Sequence, residues 1–142
     1  MTPRKIAFIT GTRADYGLLY WCLREAQASP HISLQTVVTG THLETRFGST
    51  VDVIRADGFP VDCEIPLGLD DQSPLGVLHA MSRGLAGFAE AFETLRPEVV
   101  VVLGDRYEIQ VAAQAAMVMR IPLAHIHGGE LTEGLIDEAI RH

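Results

Sequence analysis

The chain is short of cysteine, of positive charge and of long apolar runs, and each shortage closes off a class of function. Its two cysteines, Cys22 and Cys63, are too few for a disulfide framework, and neither sits in a CxxC pair. They are expected to be reduced and buried. Eleven Lys and Arg stand against eighteen Asp and Glu, a formal charge of −7. An acidic domain is poorly suited to gripping nucleic acid by its phosphates, although a single well-placed Arg can still meet a phosphorylated small molecule. No apolar run approaches the length of a membrane span, and no charged-then-apolar leader opens the chain, so a cytoplasmic protein with no membrane partner is expected. Internal repeats and low-complexity tracts are absent as well.

What is present is one domain's worth of chain: 142 residues, 47% of them apolar, enough for a real core. Short apolar runs at Lys5–Thr10, Leu34–Val38, Val61–Ile65, Val99–Leu103 and Pro122–Ile126 read as strands. The run of four valines and a leucine at Val99–Leu103 has the look of a central strand covered on both faces. Between the strands the spacing turns helical. Leu18, Leu19, Cys22, Leu23 and Ala26 mark one helix, and Val51, Val53, Ile54 and Ala56 a second. Leu78, Met81, Leu85, Phe88, Phe92 and Leu95 mark a third with a core-facing stripe, after a loop over Pro66–Pro74. Val111–Met119 marks the fourth. Strands alternating with helices at this spacing predict right-handed βαβ units, an α/β fold with a parallel sheet and helices on both faces. Leu135–Ile140 reads as a helix just begun, and the chain stops at His142 without a cap, as if cut inside a larger protein.

Open α/β sheets build their sites where strands end, and three loops there carry chemistry. Gly11-Thr12-Arg13 follows the first strand, in the place of a Rossmann phosphate turn. It is not GxGxxG, which disfavours a nucleotide dehydrogenase. Arg13 at the start of a helix suits a phosphate, with amide donors beside it, or else forms a surface pair with Asp15. Gly104-Asp105-Arg106 follows the central strand; Asp105 is placed either as a general base or as a cap for the next helix. His125 and His127 alternate about Ile126, so an extended strand points both to one face. With Glu130 and Asp137 nearby they have the ingredients of a metal site, of metal-free proton transfer near neutral pH, or of hydrogen-bonded structural histidines. Gly128 and Gly129 allow close backbone approach.

GTRADYGLL near the start, TGTHL after the second strand, GDR after the central strand and HIHGGELTEGLIDEAIRH at the end, in that order, resemble the hydrolysing UDP-N-acetylglucosamine 2-epimerases, the sialic-acid-pathway branch of the 2-epimerases. Non-hydrolysing members typically carry a GTRPE-like first loop and a GDT-like turn; GTRAD and GDR are similar to the hydrolysing branch. The resemblance implies the N-terminal Rossmann-like half of a GT-B fold, a missing C-terminal domain, a UDP-sugar substrate and a homo-oligomer in the full-length form. It also implies a reaction that consumes no metal or redox cofactor: elimination of UDP across sugar carbons 1 and 2, then hydration of the glycal to N-acetylmannosamine. Asp105, His127, Glu130 and Asp137 are the implied proton-transfer groups. Arg13, His42, Arg106 and His125 are the implied substrate-binding ones. One departure is that some members have an acidic residue where His127 stands, HIEGGE against HIHGGE, and the spacing around Glu133 differs by one residue. A relative acting on a 2,4-diacetamido sugar nucleotide would look much the same in this half. The other readings are the acceptor-side domain of a GT-B glycosyltransferase, a metal-dependent hydrolase built on His125, His127 and Asp105, and a non-catalytic remnant that pairs with another chain.

Overall fold

In a computed structural model of the chain, residues 2–128 and Ile140 are described. The first strand, β1 (Arg4–Thr10), is followed by α1 (Arg13–Ala28) and β2 (Ile32–Thr39). Two 3-10 turns at Gly40–Leu43 and Thr45–Phe47 lead to α2 (Val51–Ala56) and β3 (Cys63–Ile65). Then come α3 (Pro74–Leu95), β4 (Val99–Leu103), α4 (Tyr107–Val118) and β5 (Leu123–Ile126). All strand pairs are parallel, in the order β3-β2-β1-β4-β5. This is the order of a Rossmann-like half, wound outward on both sides of β1.

Alternation along the strands feeds two cores. Ala7, Ile9, Val37, Val100 and Val102 face α3 and α4, where they pack with Phe88, Phe92, Ile109 and Ala112. Phe8, Val38, Val101 and Leu103 face α1 and α2, where they meet Leu19, Leu23 and Ile54. Both faces are covered, which is why these strands read as continuous apolar runs rather than alternating ones.

Two helices turn differently from their sequence reading. In α1 the buried line is Asp15, Tyr16, Leu19, Leu23 and Ala26; Leu18 and Cys22 sit one step round the helix and are exposed. The expectation of two buried thiols therefore fails for Cys22, and Cys63 is half-buried. In α3 the large residues mislead more. Leu78 is 60% and Leu85 41% exposed, while the inward line is Gly76, Ala80, Gly84, Phe88, Ala91 and Phe92. The first half of α3 lies too close to its neighbours for leucine. A Cβ on Gly84 would sit 3.1 Å from both Leu67 Cδ2 and Val111 Cγ2, and one on Gly87 only 2.4 Å from Ile65 Cγ2. The helix also starts earlier than expected. Ser73 caps it by accepting from the Gly76 amide at 3.1 Å, with Pro74 at the first position.

Candidate active site at the strand ends

The chain leaves β1 through α1 on one face of the sheet and leaves β4 through α4 on the other. Since β1 and β4 are adjacent, their carboxyl ends frame the topological switch point, where open α/β sheets form a crevice. The Gly11–Arg13 loop and the Gly104–Arg106 loop stand on its two sides. The turns after β2 and β5 flank them.

These loops meet at Gly11. Its carbonyl accepts from the Thr41 amide (2.9 Å) and the Thr41 hydroxyl (3.2 Å), drawing the β2 exit against the β1 exit. Gly40 makes that approach possible: its φ is +63°, and a Cβ there would lie 2.5 Å from the Gly11 carbonyl oxygen. From the other side, a Cβ on Gly11 would lie 2.8 Å from Glu108 Cγ and 3.0 Å from its Oε1.

Asp15 organises the first loop. Buried at 6% exposure, its carboxylate accepts from the Thr10 hydroxyl (2.8 Å), the Gly11 amide (3.2 Å) and the Thr12 amide (2.9 Å). The Asp15 amide donates back to Thr12 Oγ1, completing a capping box on α1. Asp15 thus turns inward rather than pairing with Arg13 at the surface, and it occupies the Gly11 and Thr12 amides that precede the helix. Arg13 itself is exposed at the first position of α1.

His42, expected near the substrate, is fully buried, and both ring nitrogens are engaged: Nε2 with Thr10 Oγ1 at 2.8 Å, Nδ1 with Thr50 Oγ1 at 2.6 Å. Thr10 gives its hydroxyl proton to Asp15, so it accepts from His42 Nε2–H, and Nδ1 accepts from Thr50. The result is a chain of donors, Thr50 to His42 to Thr10 to Asp15, that needs a neutral imidazole. Burial pushes the His42 pKa down, against the pull of Asp15, whose Oδ1 is 4.0 Å away. In this structure His42 ties the β1 and β2 exits to α2 and leaves no face for a ligand. A loop histidine between two threonines finds partners before it finds solvent.

Across the crevice Gly104, at φ +89°, turns the chain out of β4. The N-cap of α4 is Arg106 and its first residue Tyr107, so Asp105 lies one position before the cap rather than at it. Asp105 is half-buried at the crevice edge. Arg106 Nε donates to Glu108 Oε1 at 2.8 Å; the Glu108 side chain is 2% exposed, that of Arg106 51%. Burial works to lower the Arg106 pKa, but the Glu108 carboxylate outweighs it and raises it. A half-open cavity of about 320 Å³ adjoins Arg106, lined by Thr41, Arg46, Phe47, Leu69, Gln72 and Tyr107. A larger hollow of about 540 Å³ runs along β3 and α3 rather than across the strand ends.

The two C-terminal histidines part company. His125 pairs in register with Val102, on the α3–α4 side, and its Nε2 donates to the Gly104 carbonyl at 2.5 Å. His127 lies just past β5 with φ +63°, so the strand alternation that would have put both rings on one face stops short of it. Among the described residues no three His, Cys, Asp or Glu side chains converge as metal ligands. Glu130 and Asp137 lie outside the described residues, as does the expected helix at 135–139. Glu108 and Asp15 escaped the sequence reading as site components; the only signal for Asp15 was its place three residues after Thr12, the spacing of a capping box.

The model of the family described as UDP-N-acetylglucosamine 2-epimerase matches residues 24–142. The chain is 45% identical over 139 residues to a Legionella pneumophila protein named UDP-N,N'-diacetylbacillosamine 2-epimerase (hydrolyzing), and covers 98% of itself but 37% of that protein. It is 42% identical over 142 residues to the Campylobacter jejuni GDP/UDP-N,N'-diacetylbacillosamine 2-epimerase (hydrolyzing), again 37% of the relative's length. In fold it is similar to the UDP-GlcNAc 2-epimerase of Neisseria meningitidis solved with UDP-GlcNAc bound. The TM-score is 0.81 at 23% identity, over 96% of this chain and 37% of that one. Helices on both faces of a parallel sheet, as in the N-terminal half of a GT-B fold, and a match running through most of the sequence give one conclusion: the chain belongs to the UDP-N-acetylglucosamine 2-epimerase family.

Proposed function

We propose that this chain is the N-terminal part of a hydrolysing sugar-nucleotide 2-epimerase whose substrate is a UDP-linked 2,4-diacetamido sugar. One observation carries the choice of substrate: the chain is 45% and 42% identical to two relatives named for N,N'-diacetylbacillosamine. The cavity beside Arg106 supports it with an apolar wall from Phe47 and Leu69 next to Arg46 and Gln72, which both donate to the Leu69 carbonyl and keep further N–H groups, a mixed lining of the kind an acetamido group needs.

In the proposed reaction a base removes the proton from sugar carbon 2 while the bond from carbon 1 to the UDP oxygen breaks, leaving UDP and a glycal. Water then adds, hydroxyl to carbon 1 and proton to carbon 2 from the opposite face, and the free 2-epimerised sugar departs. The carbon-2 proton is barely acidic, so the base must be held in place and dehydrated. Asp105, at the crevice edge beside β4, is our candidate for a proton-transfer group, with His127, Glu130 and Asp137 as the others. Arg13 and Arg106 are the candidates to meet the departing diphosphate. His42 and His125 position the loops that carry these groups. The full-length form is proposed to be a cytoplasmic homo-oligomer.

A second reading, UDP-N-acetylglucosamine as substrate, is favoured by the family's own description. Incubating the full-length protein with each sugar nucleotide in heavy water, with chelator present, and following products by proton NMR separates the two. Free 2-epimerised sugar with deuterium at carbon 2, plus UDP, from the diacetamido substrate in preference to the other is the expected result. A transferred glycoside, or activity lost to the chelator, would overturn the proposal in favour of a glycosyltransferase or a metal-dependent hydrolase.

A further inference from the structure

Glu108 is a buried carboxylate at the switch point for which the proposed reaction has no use. It stands in the first turn of α4, 2% exposed, with its Cγ 2.8 Å and its Oε1 3.0 Å from where a Cβ on Gly11 would be. Its Oε1 accepts from Arg106 Nε at 2.8 Å. A glutamate is almost never fully buried unless paired, and this one is paired to the cation that faces the crevice. We infer that Glu108 is a positioning residue for diphosphate binding: it anchors Arg106 at Nε across the first loop, so that the two terminal nitrogens are presented as one edge to the leaving UDP. The inference rests on the proposed reaction for the identity of the anion.

A free arginine side chain samples many rotamers and loses that freedom on binding. A guanidinium has two edges able to meet a phosphate bidentately, one using Nε and one using only the terminal nitrogens. With Nε committed to Glu108, the terminal edge is the one left over. Glu108 is in turn fixed because Gly11 lacks a side chain: the carboxylate fills the space where a Cβ would stand. The anchor, the cation and the first loop are thus one packed unit. Charge alone would point the other way, since a carboxylate repels a diphosphate, so the test has to separate position from charge.

UDP binding by calorimetry, together with kcat and KM, would be measured on the full-length protein and on Glu108→Asp, Glu108→Gln, Arg106→Ala and the Glu108→Gln/Arg106→Ala double variant. Glu108→Asp keeps the charge and withdraws the anchor by one methylene. Glu108→Asp, which moves the acceptor, is expected to weaken UDP binding and raise KM by roughly tenfold, the usual worth of one hydrogen bond to a charged group, whereas Glu108→Gln keeps an oxygen acceptor in place and should lose less. Arg106→Ala should lose at least as much, the double variant should be no worse than Arg106→Ala, and Glu108→Asp should melt within a few degrees of the parent. Wild-type UDP binding in Glu108→Asp, losses that multiply in the double variant, or tighter UDP binding in Glu108→Gln would each overturn the inference. If the parent binds UDP but turns over neither sugar nucleotide, the proposed reaction fails while calorimetry still decides on Glu108. If the parent does not bind UDP, both fail.

Discussion

Replacing Gly40 by alanine tests whether the close approach of two loops at Gly11 holds the site together. Two costs are expected. The φ of +63° is left-handed, which costs a residue with a Cβ about 1–2 kcal/mol. The new Cβ would also lie 2.5 Å from the Gly11 carbonyl oxygen, a backbone atom that cannot swing away. Overpacking of that kind costs about 1–3 kcal/mol. Relief would require moving Gly11, whose carbonyl holds both Thr41 donors. The total is about 2–5 kcal/mol. Gly48 supplies the control: its φ is +88°, yet nothing lies within 4 Å of a Cβ placed there. Gly48→Ala should therefore show only the backbone cost, about 1–2 kcal/mol. Urea denaturation of the two variants beside the parent reads the difference directly. If the two lose the same stability, the Gly40–Gly11 contact contributes nothing, and the loops are held by the Thr10–Asp15–His42 chain alone.

Other perturbations follow from the same contacts. Gly87→Ala should destabilise by about 1–3 kcal/mol in urea melts, because its Cβ would fall 2.4 Å from Ile65 Cγ2. Gly84→Ala, at 3.1 Å from two side-chain methyls, should be near neutral, since alanine regains up to about 1 kcal/mol of helix propensity. Burial lowers the His42 pKa in the folded chain, so between that value and the ordinary histidine range the unfolded chain binds the extra proton. Stability should thus rise with pH through that window and fall on acidification, and His42→Gln should flatten this slope of melting temperature against pH. Thr12→Ala removes the hydroxyl of the α1 capping box and should cost about 1 kcal/mol by thermal melt. Asp105→Asn in the full-length protein is expected to abolish UDP release with an unchanged circular-dichroism melt; normal turnover would remove Asp105 from the chemistry.

All five strands were placed, with edges shifted by up to two residues: β1, β2 and β4 because burial on both faces writes itself as apolar runs, the edge strands β3 and β5, only partly buried, from shorter apolar stretches between turn signals. The start of α4 was not, because Tyr107 and Glu108 carry the first turn and a buried glutamate reads as surface. The inward face of α3 was misread for a related reason. Periodicity arguments weight large side chains, whereas Gly76, Ala80 and Gly84 are buried by the nearness of Asp71, Leu67 and Val111. The loops of the site were legible as positions, since a glycine after an apolar run marks a strand's carboxyl end. Their internal bonding was not, because it depends on which loops the strand order brings together: Thr10, Asp15, His42 and Thr50 are scattered over forty residues, and β1–β2 pairing puts them within one hydrogen-bonded chain.

That bonding bears on the proposed meeting of these loops with a diphosphate. In a Rossmann turn the amides at the start of the first helix are open, and an anion completes them. Here Asp15 has taken that place from within, accepting from the Gly11 and Thr12 amides and the Thr10 hydroxyl at once. The cations at these loops among the described residues are Arg13 on the first turn of α1, Arg106 on the N-cap of α4 and Arg46 on the wall of the adjoining cavity. The Gly11 and Thr12 amides are satisfied from within, so the proposal assigns the diphosphate to the arginines of the two loops rather than to a glycine turn.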